Sequence, residues 1–438
     1  MRRRERGQPV GLLDGPGTSG ASVFEPSDAE APLHRCRALP RIERITVHRL
    51  QARLHGVFRI AYAAAATVES IVAEVVLSDG TRGWGEAAPA PRVTQENTAS
   101  VEAYIEAAAG KLAGLELPDG LGEALRRVHA GAPGFSSARA ALESALLDAT
   151  ARTLGTPVYT LLGGRVHKGL ETDYTVSIPG PETLEEIRRS QGSRRDAFIE
   201  AVEYLVGLRS RAPEEPGFPL PAVRGFRVLK VKLGTGSTED DVLLAETVYE
   251  ASRGKARIRI DANQAWTRKQ AIHVIRRLER SLGTALELVE QPVPAPRLED
   301  LAVVRNAVET PVASDESTRS PEEIARAATL GAVDAVNIKI AKIGGPLQAA
   351  HAAAMLEAHG LEAMWGCMVE TGLGISQAVH PALTSPATRY VDLDAPLFLE
   401  EDPVENPPAY RPEPAGVMVY PPEGPGLGPR PRSIRGDR

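Results

Sequence analysis

Cysteine is nearly absent from this 438-residue chain, which carries only Cys36 and Cys367. Two cysteines cannot build a disulfide framework, and they fit a reducing compartment. Aromatic residues are also scarce, with 3 Trp, 9 Tyr and 7 Phe, which counts against sites that stack sugars or bases. Positive charge is not in excess. Lys and Arg number 51 against 57 Asp and Glu, a net −6, so no basic field exists to hold nucleic acid or an anionic membrane. No apolar run approaches the roughly 18–20 residues of a membrane-spanning helix. What is left is a cytoplasmic globular protein, and 42% hydrophobic with 25% charged residues gives it an ordinary core and surface.

Residues 1–40 differ from the rest. Arg2, Arg3, Arg4 and Arg6 precede GQPVGLLDGPGTSG, which lacks the run of about 7–15 apolar residues that a secretory leader requires. A disordered tail is expected there. Residues 41–165 read as a separate α+β capping region. IERITVHRL and TVESIVAEVVLSDGTRGWGE predict a meander turning at Asp79-Gly80, and SARAALESALLDATARTLG predicts helix. The segment 399–438 is Pro/Gly-rich but contains GVMVY, an edge strand or loop expected to pack back on the capping region.

Between them, over 166–398, short strand-like runs recur and each ends on a polar residue. They are TDYTVS (172–177), FRVLKVK (226–232), RIRID (257–261), LELVE (286–290), PVASDE (311–316), AVNIK (335–339), LEAMWGCMVE (361–370) and RYVDLD (389–394). Amphipathic stretches such as DVLLAETVYEASR and PEEIARAATLG separate them. Eight strands alternating with helices predict a (β/α)8-type barrel, in which all strand ends open on one face. Lys232, Asp261, Glu290, Asp315 and Lys339 follow one another at 29, 29, 25 and 24 residues, about one βα unit each. They therefore belong together at the barrel mouth.

A lone strand-end acid is as readily a helix cap or an arginine partner. Three in phase, Asp261, Glu290 and Asp315, offer hard oxygen ligands to one point, a set suited to Mg²⁺. Lys230 and Lys232 alternate about Val231 and face inward together, and Lys339 lies across the mouth. Burial and cationic neighbours lower a lysine's pKa and make it a usable base. A divalent ion holding a substrate carboxylate stabilises the enediolate left by α-proton removal. One lysine would then take the proton and the other return it on the opposite face, the chemistry expected of a racemase or epimerase. With a leaving group or ring beside the carbanion, the same site would eliminate or cycloisomerise.

KVKLG, RIDANQAW, ELVEQPVP, VASDES and VNIKIAKIGG, in this order, resemble the muconate-lactonising subgroup of the enolase superfamily over roughly residues 41–430. Enzymes of that superfamily pair a Lys or His base with Mg²⁺ to stabilise an enediolate. The resemblance implies a modified (β/α)7β barrel with a capping domain made from both chain ends. It also implies Lys232 and Lys339 as the acid/base pair, Lys230 as an electrostatic helper and Asp261, Glu290 and Asp315 as ligands of one Mg²⁺. Lys342 is the nearest competitor of Lys339, but it falls in the following loop. Asp392-Leu393-Asp394 on the last strand places two carboxylates on one side, suited to a substrate ammonium. That pair resembles the dipeptide epimerases, and with it ETDYTVS and PRVT (91–94) imply Thr175, Cys367 and Val369 as further substrate contacts.

The activity implied is a Mg²⁺-dependent dipeptide epimerase inverting the C-terminal residue. Alternatives are a muconate-type cycloisomerase, an N-acylamino acid racemase, or an o-succinylbenzoate synthase-like enzyme. A non-catalytic barrel is the remote one, since fold alone proves no activity. Homo-oligomers are common in this group. Alanine–glutamate epimerases carry an arginine in the capping loop, and the matching stretch FRIAYAAAAT (58–67) has Ala63 there. An acidic second residue is thereby disfavoured, unless Arg59 or the lid loop substitutes. The long crossover SQGSRRDAFIEAVEYLVGLRSRAPEEPGFPLPAVRG (190–225) is expected to decorate the far side of the barrel. His380 reads as a packed residue.

Overall fold

The structure is a computed structural model that describes residues 38–131, 134–214 and 218–432. The expected tail of residues 1–40, with Cys36, falls almost wholly outside them.

Alternating apolar residues from Ile42 onward build an antiparallel sheet of β1 (Ile42–Ile60), β2 (Ala63–Leu77) and β3 (Arg82–Ala87). Asp79-Gly80 makes the β2–β3 turn, with Gly80 at φ +87° and the Thr81 N–H donating to the Asp79 carboxylate at 2.9 Å. FRIAYAAAAT is not a loop. It is the far end of a long β1–β2 hairpin, where Phe58 pairs with Ala65 and Ile60 with Ala63. The alanines are poor strand formers, and only pairing keeps them extended.

The helix Ser136–Thr153 is buried on nearly every side and lies directly on β3. Contact is possible because β3 presents glycines. A Cβ on Gly85 would stand 2.1 Å from the Ala141 carbonyl oxygen, and one on Gly83 would stand 2.2 Å from that of Ala145. Both obstacles are backbone, so a methyl group forces strand and helix apart. Gly85→Ala is therefore expected to destabilise the fold by about 1–3 kcal/mol or more. Urea unfolding monitored by circular dichroism checks this, and an unchanged midpoint would contradict it.

The second sheet holds eight parallel strands: β5 (Tyr174–Val176), β6 (Val228–Lys232), β7 (Arg257–Asp261), β8 (Leu286–Glu290), β9 (Val312–Ser314), β10 (Ala335–Ile338), β11 (Glu362–Gly366) and β12 (Thr388–Asp392). Every predicted strand is present. The run TDYTVS divides, however, because Asp173 interrupts it. The stretch before it, β4 (Leu170–Thr172), joins another sheet, while the Asp173 carboxylate takes the buried guanidinium of Arg259 at 2.9 Å. The Asp173 N–H donates to the Val391 carbonyl, which ties the two outer strands, β5 and β12, together. An α-helix follows each of β5 to β11, but only a short 3-10 turn, Ala395–Phe398, follows β12. This is the (β/α)7β variant.

The β5–β6 crossover contains two helices, Pro181–Arg189 and Ser193–Leu205. Its last part does not stay on the far side of the barrel. The Tyr174 hydroxyl donates to the Pro219 carbonyl at 2.6 Å, and Pro219 lies beside Gly56 on the β1 arm of the hairpin. The physical reason is apolar cover, since Phe218 is buried in one hydrophobic cluster with Leu54 of β1 and Tyr174 of β5.

After the barrel, β13 (Val404–Glu405), β14 (Ala409–Glu413), β15 (Gly416–Tyr420) and β16 (Arg430–Pro431) complete the chain, with β15 pairing to both β14 and β4. The following loop reaches the capping region, where the Asp148 carboxylate accepts the Leu427 N–H at 2.6 Å. His380 helps to hold this junction. Its Nδ1 accepts the Tyr159 N–H at 3.0 Å and its Nε2 lies 3.2 Å from the Leu427 carbonyl. That pair of partners demands the neutral ring, and burial pushes its pKa down to about 4. Between pH 6.5 and 4 the unfolded chain therefore binds the proton that the folded one refuses. Stability contributed by this site is complete above pH 6.5 and falls with pH through that window, by on the order of 3 kcal/mol. The stability difference between wild type and His380→Gln should shrink correspondingly from pH 7 to pH 4 in urea titrations. Parallel curves would exclude the effect. No helix among the described residues is long and apolar enough to cross a membrane.

Candidate active site

Parallel register carries the polar side chains to one level. Lys232 on β6 is in register with Asp261 on β7, and Asp261 with Glu290 on β8. Asp315 follows β9, Lys339 follows β10, Cys367 and Val369 follow β11, and Asp392 ends β12 with Asp394 beyond it. Thr175 on β5 closes the ring. The acids, the lysines and Thr175 are buried, whereas Cys367 and Val369 are half-buried.

Lys230 is the electrostatic hub. Its Nζ lies 2.7 Å from Glu290 Oε2, 2.7 Å from Asp392 Oδ2 and 3.3 Å from Asp261 Oδ2. Lys232 Nζ donates to Asp261 Oδ2 at 2.6 Å, and Lys339 Nζ to Asp315 Oδ2 at 2.8 Å. Lys342 points elsewhere. Its Nζ is consumed by Asp315 Oδ1 and by the carbonyls of Asp315 and Asn337. Lys232 and Lys339 line a cavity of about 440 Å³ and Lys342 does not.

Burial by itself would raise the pKa of Asp261, but Lys232 and Lys230 outweigh it and hold the carboxyl below its usual range. Burial likewise opposes the charge on Asp315, and Lys339 and Lys342 overcome it. Glu290 goes the other way, raised by burial and by Asp261. Lys230 and Lys339 do not follow the simple expectation of a lowered pKa. Burial disfavours charge on Lys339, yet Asp315 and Glu290 prevail and raise it, whereas Lys342 is lowered by burial.

Three carboxylates on consecutive strands form a hard-oxygen donor set that fits Mg²⁺. Glu290 Oε2 is moreover buried with no hydrogen bond of acceptable geometry, despite the nearby ammonium. A tighter gathering of ligand atoms lies opposite, where those of Cys367, Asp392 and Asp394 fall within 4.8 Å of one another. Here the balance of charge is uneven. Asp392 is neutralised by Lys230, but Asp394 has no ion-pair partner among the described residues. Its Oδ2 accepts the Thr175 N–H at 2.6 Å, and its Oδ1 lies 4.0 Å from Cys367 Sγ. Burial, then the neighbouring Asp392, pushes its pKa up to about 7. The Thr175 hydroxyl donates to Asp392 Oδ1 at 3.3 Å.

Several contributors do not stand out in the sequence. Asn337 Nδ2 donates to Glu290 Oε1 at 2.7 Å, and Gln291 Oε1 accepts the N–H groups of Asp315 and Ser317. Asn337 stands two residues before Lys339, so strand alternation places it on the inner face and offered a signal. The hairpin tip supplies Phe58, Ile60, Tyr62 and Ala63 to the cavity wall, and Phe398 completes it beside Phe58. Arg59 does not line the cavity, whereas Arg92 does.

Comparison with known proteins agrees with this architecture. Residues 42–163 match the mandelate racemase / muconate lactonizing enzyme N-terminal domain, and 221–433 match the enolase C-terminal domain-like model. The chain is 34% identical to an L-Ala-D/L-Glu epimerase of Bacillus subtilis, over 89% of this chain and 96% of that one. It is 30% identical to muconate cycloisomerase 1 of Pseudomonas putida, over 89% and 95%. A dipeptide epimerase from Enterococcus faecalis, solved with Mg and the dipeptide L-Leu-L-Tyr, superposes with a TM-score of 0.75 at 29% identity, covering 89% of this chain and 99% of that one. The chain belongs to the mandelate racemase / muconate lactonizing enzyme family.

Proposed function

We propose that this chain is a Mg²⁺-dependent dipeptide epimerase that inverts the α-carbon of the C-terminal residue. The observation that carries the reading is Asp394, a buried carboxylate on the cavity wall with no ion-pair partner among the described residues. A substrate ammonium would supply the missing charge, held by Asp394 and Asp392 with Thr175 fixing their orientation. Muconate carries two carboxylates and no ammonium, and would leave Asp394 without an ion-pair partner there. The relatives with dipeptide substrates support the same choice.

Asp261, Glu290 and Asp315 would hold one Mg²⁺, which supplies positive charge to the substrate carboxylate and so acidifies the neighbouring α-carbon. Lys230 favours the ionised forms of Asp261 and Asp392. Lys232 on β6 and Lys339 on β10 are four strands apart in an eight-stranded barrel and therefore face the α-carbon from opposite sides. One Nζ removes the proton and the other delivers one to the other face, which inverts the centre. Cys367 and Val369 wall the part of the cavity next to the ammonium.

Chiral chromatography of free-amine dipeptides incubated with protein and Mg²⁺ tests this. Interconversion of the two diastereomers at the C-terminal residue is expected, together with loss of activity in EDTA and its return with Mg²⁺. N-acetylation of the substrate should lower kcat/KM by about 10- to 100-fold, the cost of one charged hydrogen bond. Inertness toward all dipeptides, with cycloisomerisation of muconate or racemisation of N-acyl amino acids, would overturn the reading.

A further inference from the structure

Granted the dipeptide reading above, one wall of the cavity is made by a piece of chain that its own sheet holds only weakly. Phe58, Ile60, Tyr62 and Ala63 at the hairpin tip form that wall. Just before the tip the β1–β2 ladder is interrupted. Arg53 pairs with Thr67 and Phe58 with Ala65, so the residues 54–57 stand against Ala66 alone. Extra residues in one strand disrupt the ladder and leave backbone groups outside it. The tip keeps a backbone tie to the barrel, from the Ile178 N–H to the Arg59 carbonyl at 3.0 Å.

The crossover meets the β1 arm at this break. A Cβ on Gly56 would lie 3.6 Å from the Pro219 nitrogen and 3.9 Å from the Phe218 carbonyl carbon, ordinary packing distances. Phe218 shares a buried cluster with Leu54 and Tyr174, and Phe58 packs against it. Tyr174 links the crossover to the wall itself. Its hydroxyl donates to the Pro219 carbonyl at 2.6 Å, and its ring stands edge-on to Phe398 with centroids 5.3 Å apart. Phe398 lies 5.1 Å from Phe58, and both rings line the cavity. The crossover is fixed in turn on its own helix, where the Tyr204 hydroxyl donates to the Pro221 carbonyl at 3.0 Å.

We infer that Phe218 and Pro219 of the crossover, with Tyr174 as the positioning residue between them and Phe398, hold the hairpin tip over the mouth, so that this wall of the dipeptide site is assembled before substrate arrives. A wall set in advance lowers the ordering cost of binding. Lys232 and Lys339 stand on the barrel and do not depend on it, so loosening the wall acts on binding rather than on proton transfer.

The test pairs steady-state kinetics on free-amine dipeptides, with the full chain and Mg²⁺, with amide hydrogen exchange of the free protein read by mass spectrometry. Tyr174→Phe removes the hydroxyl and keeps the ring. Phe218→Leu keeps an apolar side chain and carries the test should Tyr174→Phe not fold. Exchange over 54–65 is expected to rise by about threefold or more, with 68–77 on β2 unchanged. KM should rise about fivefold, the size of one hydrogen bond, while kcat stays within about twofold. Unchanged exchange over 54–65 in both variants, faster exchange throughout the chain, or a fall in kcat at constant KM overturns the inference. If wild type turns over no dipeptide, the epimerase reading falls, and exchange over 54–65 still decides whether the crossover holds the tip.

Discussion

Lys339→Ala and Lys232→Ala are each expected to lower epimerisation by about 10²- to 10⁴-fold, the usual range for loss of a positioned acid or base. The two variants should fail differently. With one lysine gone, the other still reaches the α-proton on its own face. Each variant should therefore keep exchanging that proton with solvent in one diastereomer and lose exchange in the other, with the preference reversed between them. Stability is not the obstacle in Lys339→Ala, because Asp315 keeps Lys342 as a partner at 2.5 Å. Deuterium incorporation into pure L,L and L,D dipeptides, followed by mass spectrometry, reads the pattern directly. Full epimerisation by either variant would remove that lysine from the chemistry.

Asp394→Asn is expected to reduce kcat/KM for free-amine dipeptides by about 10- to 100-fold, the cost of losing a charged hydrogen-bond partner. The change is conservative. An asparagine Oδ1 can still accept the Thr175 N–H that Asp394 Oδ2 accepts now, so the β5–β12 contact survives. Asp392 is the less informative position, since its removal would also strip Lys230 of a partner at 2.7 Å. Discrimination between free and N-acetylated dipeptides should collapse in Asp394→Asn, with the rate on the best N-acetylated substrate little changed. A variant that kept wild-type kcat/KM would show that the ammonium binds elsewhere.

Much of this site could be read along the chain because a parallel barrel converts sequence spacing into angular position. Lys232, Asp261, Glu290, Asp315 and Lys339 each stand at a strand's C-terminal end, and alternation along single strands predicted which neighbours face inward. What escaped depends on contacts between distant segments. The Lys230–Asp392 pair spans 162 residues and the Tyr62–Glu316 hydrogen bond spans 254, and no local periodicity encodes either. The alanine-rich hairpin tip has weak intrinsic strand preference, so its extension over the mouth comes from cross-strand pairing. Asp173 reads as one more residue of a strand. Only the buried Arg259 opposite it explains why the strand breaks there and one part leaves the barrel. The 190–225 crossover reads as a decoration, whereas Pro219 accepts from the Tyr174 hydroxyl on β5 and lies beside Gly56 on the β1 arm of the hairpin.

Everything proposed for this site turns on two lysines passing a proton across the α-carbon of a dipeptide's C-terminal residue. Wild-type turnover of an L,L dipeptide in D₂O with Mg²⁺, resolved by diastereomer and by carbon position, probes that step itself. One deuteron at the C-terminal α-carbon of the product diastereomer, with none at the N-terminal α-carbon, is the expected result. Product formed without solvent deuterium, or label at the N-terminal residue, would rule the two-lysine transfer out.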